Sequence, residues 1–196
     1  NPIIYSNQQL LYDALYHSVS ATINELTTDS KHLGAKVGYI CVLHTWGSEM
    51  NYHPHIHVIL LGGGLSVKNE WRDKGEEFFL PVKILSKVFR GKYMNELKSL
   101  YKDNKLEFHG SSEKYRNSYN FKELLNTCYK KDWIPHCKKT FNGAQSVINY
   151  LGKYTHRIAI SNHRIIRMDE DTVTYYVKDY REQGKWKELT ISGVEF

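Results

Sequence analysis

The 196-residue sequence predicts an α+β fold in which antiparallel strands are interleaved with amphipathic helices. Three observations predict it. Residues 7–27 place Leu10, Leu11, Ala14, Leu15, Val19 and Ile23 at the three-to-four-residue spacing of a helix with one buried face. Two β-branched and aromatic runs, 35–47 and 53–63, are separated only by the polar link GSEMNY, as in an antiparallel hairpin. In the tail, Asp169-Glu170-Asp171 and Gln183-Gly184 are turn signals that divide β-rich runs into three strands.

The elements between these follow in order. Residues 65–82 read as a loop ending in a short strand, EFFLPV. Residues 84–102 read as a basic helix with Phe89, Tyr93, Leu97 and Leu100 on one side. The polar stretch 103–120 reads as an internal loop, 120–131 as a short helix, 132–140 as a strand and 143–157 as a further helix. No internal repeat or low-complexity segment interrupts the chain. At 41% hydrophobic residues it has material for one core, so 1–196 is expected to be a single domain. It starts without Met and inside a helical pattern, which suggests a piece of something longer.

Charge narrows the partner class. The formal net charge is +6, and residues 83–139 hold 14 Lys and Arg against 6 Asp and Glu. Residues 150–167 add Lys153, Arg157, Arg164 and Arg167 with no acid. Such a balance favours nucleic acid or another polyanion. Cys41, Cys128 and Cys137 form no Cys-x-x-Cys pair, which argues against a disulfide framework and a cysteine zinc site. No run approaches the ~20 apolar residues of a membrane span, and no signal peptide opens the chain. A cytoplasmic protein, with no membrane partner and no obligate protein partner, is expected.

The segment NYHPHIHVILLGGG, residues 51–64, sets histidines at alternate positions 53, 55 and 57. In a strand, alternate side chains share a face, so His55 and His57 point the same way. Single histidines in strands are commonplace. Two on one face ahead of an apolar run suit a divalent ion at roughly 2.1 Å per nitrogen. If the hairpin turns near residue 49, His44 lies across the ladder from His55 and is the first candidate for a third ligand. Glu49 and Gln145 are the other candidates. An open, oxygen-accepting position fits Mg²⁺ or Mn²⁺ polarising a phosphate, or a catalytic Zn²⁺. No carboxylate at His-Glu-x-x-His spacing accompanies the pair.

A second cluster is YLGKY, residues 150–154. Four residues on a helix turn about 400°, so Tyr150 and Tyr154 lie within ~40° of each other around the axis. That spacing also serves core packing. A phenol with pKa near ~10 is a poor nucleophile at neutral pH unless a cation or metal steadies the phenolate. Lys153 adjoins the pair, and His156 and Arg157 follow.

His55-Ile56-His57 resembles the His-hydrophobic-His signature of HUH endonucleases, and Tyr150-Leu-Gly-Lys-Tyr154 resembles the Tyr-x-x-Lys-Tyr signature of their two-tyrosine branch. The longer stretches VLHTWGSEMNYHPHIHVILLGGGL (42–65), VINYLGKYTHRIAISNHRI (147–165) and WIPHCKKTFNGAQ are similar to the insertion-sequence-91 transposases, relatives of Helitron transposases and rolling-circle replication initiators. The resemblance implies a ferredoxin-like (RRM-like) core: a central antiparallel sheet carrying the histidines, flanked by helices, with the tyrosine helix across the metal. It implies a metal-dependent single-strand DNA nickase and strand transferase acting in rolling-circle transposition. In that chemistry Tyr150 or Tyr154 attacks a phosphodiester to give a 5′-phosphotyrosine, with Lys153 beside them and Mg²⁺ or Mn²⁺ on His55, His57 and a third ligand. The family's N-terminal cysteine-rich zinc region is missing from this sequence.

The expected partner is single-stranded DNA, as a transposon-end sequence or hairpin. Arg157, His156, Arg164, Trp46, Tyr52 and His53 are the candidate contacts beyond the nucleophiles. Lys83, Lys87, Arg90 and Lys92 form either a backbone-contacting face or an ordinary solvated one. The alternatives are a plasmid or phage replication initiator, a non-catalytic single-strand-binding domain, and a zinc hydrolase.

Overall fold

The computed structural model describes residues 2–75, 80–137, 144–155, 159–179, 182 and 184–196, and within 144–155 the side chains of 145, 147–149, 151 and 152. In chain order the elements are helices α1 (Pro2–Ser6) and α2 (Gln8–Thr28), strands β1 (Lys36–Trp46), β2 (Tyr52–Leu65) and β3 (Trp71–Asp73), helices α3 (Val82–Lys102), α4 (Ser118–Lys130) and α5 (Ala144–Thr155), and strands β4 (Ile165–Met168), β5 (Thr172–Asp179) and β6 (Lys185–Ser192). The predicted α+β class and antiparallel pairing are observed. The described strands form two three-stranded sheets, β1-β2-β3 and β4-β5-β6. The predicted three-stranded tail is β4, β5 and β6, which pair through their own short turns.

The chain divides into two compact units, residues 1–41 with 58–140 and residues 42–57 with 141–196. The base of the β1–β2 hairpin lies in the first and its tip in the second.

In the first unit, the apolar spacing read in the sequence becomes a buried face. Leu11 and Ala14 of α2 join Tyr93, Met94 and Leu97 of α3, Phe121 and Leu125 of α4, and Leu106 and Phe108 in one core. Each side chain of this size buried from water contributes roughly 1.5–3 kcal/mol. Asn7, at the α1–α2 joint, is itself buried. Its amide donates to the Ile3 and Glu107 carbonyls at 2.9 and 2.7 Å, and its Oδ1 accepts from the Glu107 N–H at 2.7 Å. The two hydrogen bonds to Glu107 fasten the polar stretch 103–120 to the helices. The stretch is not featureless: it holds a 3₁₀ turn at Gly110–Arg116. Asn117 caps α4 by accepting from the Tyr119 and Asn120 N–H groups.

Further local expectations differ from the structure. The stretch 65–82, expected as a loop, holds the short strand β3, paired to the end of β2. Residues 132–137 form no strand. Pro135 has no N–H to give a ladder, and Trp133 instead packs its ring against Phe89 and Tyr93. Of the EFFLPV segment, 77–79 lie outside the described residues, Leu80 is fully buried and Val82 begins α3 behind Pro81.

At the hairpin base, Ile23, Leu33, Ala35 and Val37 form a second small core with Val58 and Leu60 against it. Gly64 lets β2 approach β1 closely. A Cβ there would collide with the Lys36 carbonyl and crowd the Val37 Cα, both backbone atoms that cannot swing aside. Gly64→Ala is therefore expected to destabilise the protein by about 1–3 kcal/mol, the typical cost of overpacking. A urea titration at unchanged m-value checks this, and an unchanged midpoint would contradict it.

In the second unit, Val173, Tyr175 and Val177 of β5 form a buried row, with Ile165, Leu189, Ile191, Ile160 and Met50 packed against it. Met50 sits in the hairpin turn with φ +63, a conformation unusual for a side chain of its bulk. Its burial in this core holds it there. The turn closes by Gly47 N–H to Asn51 O at 2.9 Å and Met50 N–H to Gly47 O at 3.1 Å. No described helix is long and apolar enough to cross a membrane.

Candidate metal and nucleophile site

Strand pleating puts His55 and His57 on one face of β2, as expected, and their Nε2 atoms are 3.0 Å apart. His44, on β1, is 7% exposed, and its ring centroid lies 4.6 Å from that of His57 and 5.6 Å from that of His55. One nitrogen from each of the three falls within 4.8 Å of the others, so the cluster can hold a metal ion. Of the three residues considered for the third position, His44 is the one in this cluster. Glu49 pairs with Lys187 at 3.2 Å. Gln145 is exposed on α5 and donates to Asn149 at 3.0 Å.

The donor chemistry fits an ion. His55 Nδ1 lies 2.7 Å from the His53 carbonyl, which can only accept, so Nδ1 carries the proton. This leaves the His55 Nε2 lone pair facing the cluster. Burial lowers the His55 pKa, reinforced by the neighbouring His53 and His44 and opposed by the bond to the His53 carbonyl. Burial, then the proximity of His55 and His44, lowers His57 to about 4. Both rings are thus held neutral, the form that binds metal. Two nitrogens 3.0 Å apart also match ligands at about a right angle around an ion at ~2.1 Å.

The same shift makes a stability prediction for the metal-free protein. A histidine with pKa about 4 when folded and ~6.5 when unfolded leaves the unfolded chain binding more protons between those values. Stability is unaffected by His57 above pH ~6.5 and declines as pH falls towards 4. Thermal melts in EDTA should show His57→Gln losing less melting temperature over that window than the unsubstituted protein. Parallel losses would contradict the shift.

The remaining sequence candidates are placed as follows. Trp46 stacks on His44, with centroids 4.8 Å apart and planes at 13°. Tyr52 is half-buried at the start of β2, and His53 is exposed with its ring 5.2 Å from that of His55. Tyr150, Lys153 and Tyr154 lie on α5, where positions 150 and 154 are one turn apart; their side chains lie outside the description. His156 and Arg157 lie outside the described residues. On the basic helix, Lys92 is taken by Glu25 at 2.7 Å and Arg90 donates to the Tyr129 and Lys131 carbonyls, while Lys83 and Lys87 are exposed.

Arg164 has a structural task that the sequence did not disclose. Its Nη2 donates to the Ser48 carbonyl at 2.8 Å, and Nε and Nη2 donate to the Tyr176 carbonyl at 2.8 and 2.7 Å. The Tyr175 hydroxyl donates to the Glu49 carbonyl at 3.1 Å, and Ser48 Oγ to the Lys178 carbonyl at 3.1 Å. Lys187 bridges Glu49 and Asp179. These bonds fasten the turn of the histidine hairpin to β5 and β6. They join residues about 115–130 positions apart, beyond the reach of local pattern reading.

Comparison with known families gives the class of the chain, a transposase. Residues 38–196 match the Y2_Tnp family model, described as "Putative transposase". The chain belongs to this family, the insertion-sequence-91 transposases. It is 36% identical over 195 residues to "Putative transposase y4qJ" of Sinorhizobium fredii (strain NBRC 101917 / NGR234), covering 99% of this chain and 49% of that protein. It is 24% identical over 195 residues to "Transposase for insertion sequence element IS801" of Pseudomonas savastanoi pv. phaseolicola, covering 97% of this chain and 44% of that protein. The chain thus spans about half the length of these curated relatives. No solved structure matches it.

Proposed function

We propose that this protein nicks single-stranded DNA and transfers the cut strand by tyrosine transesterification, as the chemical step of rolling-circle transposition. The observation that carries the reading is the convergence of His44, His55 and His57. Converging on one point, they suit a divalent ion, in a family whose members are transposases.

The phenol oxygen of Tyr150 or Tyr154 attacks the scissile phosphorus. The O–P bond to the tyrosine forms, and the bond to the 3′ oxygen breaks. The phenol gives up its proton and the departing 3′ oxygen gains one, leaving a 5′-phosphotyrosine and a free 3′-OH. Attack by another 3′-OH reverses the step and joins strands, so no outside energy source is needed. Lys153, next to Tyr154 and three residues after Tyr150, supplies positive charge that lowers the cost of the phenolate. Two nucleophiles one turn apart allow a second end to be captured before the first is released.

His44, His55 and His57 would hold the ion, which would supply Lewis-acid polarisation of the scissile phosphate. An all-imidazole donor set favours Mn²⁺ over Mg²⁺, which prefers oxygen ligands. The turn clamp through Arg164 and Tyr175 keeps the hairpin's histidines in register.

The experiment is a denaturing gel of the protein with labelled single-stranded DNA from its element's ends, in Mn²⁺ or EDTA. A slow, labelled, Mn²⁺-dependent band is expected. DNA that is bound without such a band would leave a binding domain and refute the nickase.

A further inference from the structure

We propose that the outer face of the β4-β5-β6 sheet is a base-stacking platform for single-stranded DNA, centred on Trp186 and Tyr176. It deepens the preceding reading, since it rests on the protein handling single-stranded DNA.

Register defines the face. Val173, Tyr175 and Val177 on β5, with Leu189 and Ile191 on β6, point into the core. The alternating residues, Tyr176 and Lys178 on β5 and Trp186 and Glu188 on β6, therefore share the opposite face. Lys178 pairs with Trp186 and Tyr176 with Glu188, so the two aromatic rings are diagonal neighbours. Trp186 is 55% exposed and Tyr176 is 40% exposed. Trp186 is the more open of the two rings, on the face opposite the one that carries the core row.

Cations frame the rings. Lys178 Nζ lies 5.0 Å and Arg164 Cζ 5.8 Å from the Trp186 centroid. Arg164 gives its hydrogen bonds to carbonyl oxygens, so its charge is not neutralised by them. Arg167, opposite Thr174, lies further along the edge and is paired with Asp169 at 3.8 Å. Among the described residues around the rings, Glu188 is set against Lys178 and Arg164. Flat rings flanked by positive charge are complementary to unpaired bases on a phosphate backbone. A duplex, with its bases already stacked, cannot use the rings.

The test is fluorescence anisotropy of labelled oligo(dT) in EDTA, which removes metal-dependent cleavage. Trp186→Ala should weaken binding about tenfold, the usual loss for one stacked base, and Trp186→Phe should retain most of it. Trp71→Ala removes a tryptophan 59% exposed on β3 and should leave binding unchanged. Equal binding by Trp186→Ala and the unsubstituted protein overturns the platform. So does no binding of single strands at all, or an equal loss on duplex. Adduct formation with no dependence on Trp186 at limiting DNA would overturn the platform and spare the nickase. Trp186-dependent binding without adduct would do the reverse.

Discussion

Replacing Tyr150 and Tyr154 together by phenylalanine should abolish the covalent protein–DNA adduct while leaving DNA binding intact. The substitution removes only the two hydroxyl oxygens, the atoms proposed to form the ester with phosphorus. Phenylalanine and tyrosine have similar helix propensities, so α5 should persist. Tyr150 and Tyr154 are the two phenols of α5, beside the less acidic alcohols of Ser146 and Thr155, so the loss should be complete within detection. Each single substitution should retain nicking by the remaining tyrosine or lose it altogether, and the pattern assigns the order of attack. Strand transfer, which uses both ends, should fail in either single variant. An adduct surviving in the double variant would mean that a different residue carries the chemistry.

The second large effect concerns the histidines. His57→Ala should lower Mn²⁺ affinity by more than ~100-fold, beyond the 10–100-fold typical for losing a partner that merely orients a ligand. The ring it removes faces His55 at 3.0 Å and His44 at a centroid distance of 4.6 Å, so no neighbouring donor replaces it. His44→Ala should act similarly but also cost stability, because His44 is buried and stacked on Trp46. Glu49→Gln should leave affinity unchanged, since Glu49 is engaged by Lys187. Isothermal titration with Mn²⁺ separates these cases. Equal affinity in His57→Ala would place the ion elsewhere.

Much of this arrangement was legible in the sequence, for definite reasons. Alternation fixes which strand residues share a face, so His55 and His57 follow from spacing alone. A short polar link fixes a hairpin, and the hairpin brings in His44 from a position eleven residues before His55. The α2, α3 and α4 helices announce themselves through apolar periodicity that survives as the buried core. Of the strand expected at 132–140, the described residues 132–137 form none, since Pro135 has no N–H to give a ladder. The stretch 103–120 looked like a loop because its order rests on Asn7, a hundred residues away. The roles of Arg164 and Trp186 depend on the pairing of β5 with β6 and on the hairpin turn, contacts that no local pattern encodes.

The central claim is that a tyrosine of α5 becomes covalently joined to DNA. Mass spectrometry of the protein after reaction with single-stranded DNA in Mn²⁺, digested with protease and nuclease, tests it most directly. A nucleotide attached through a 5′ phosphate to Tyr150 or Tyr154 is the expected result. A nucleotide on any other residue, or cleaved DNA with no modified peptide, would contradict it.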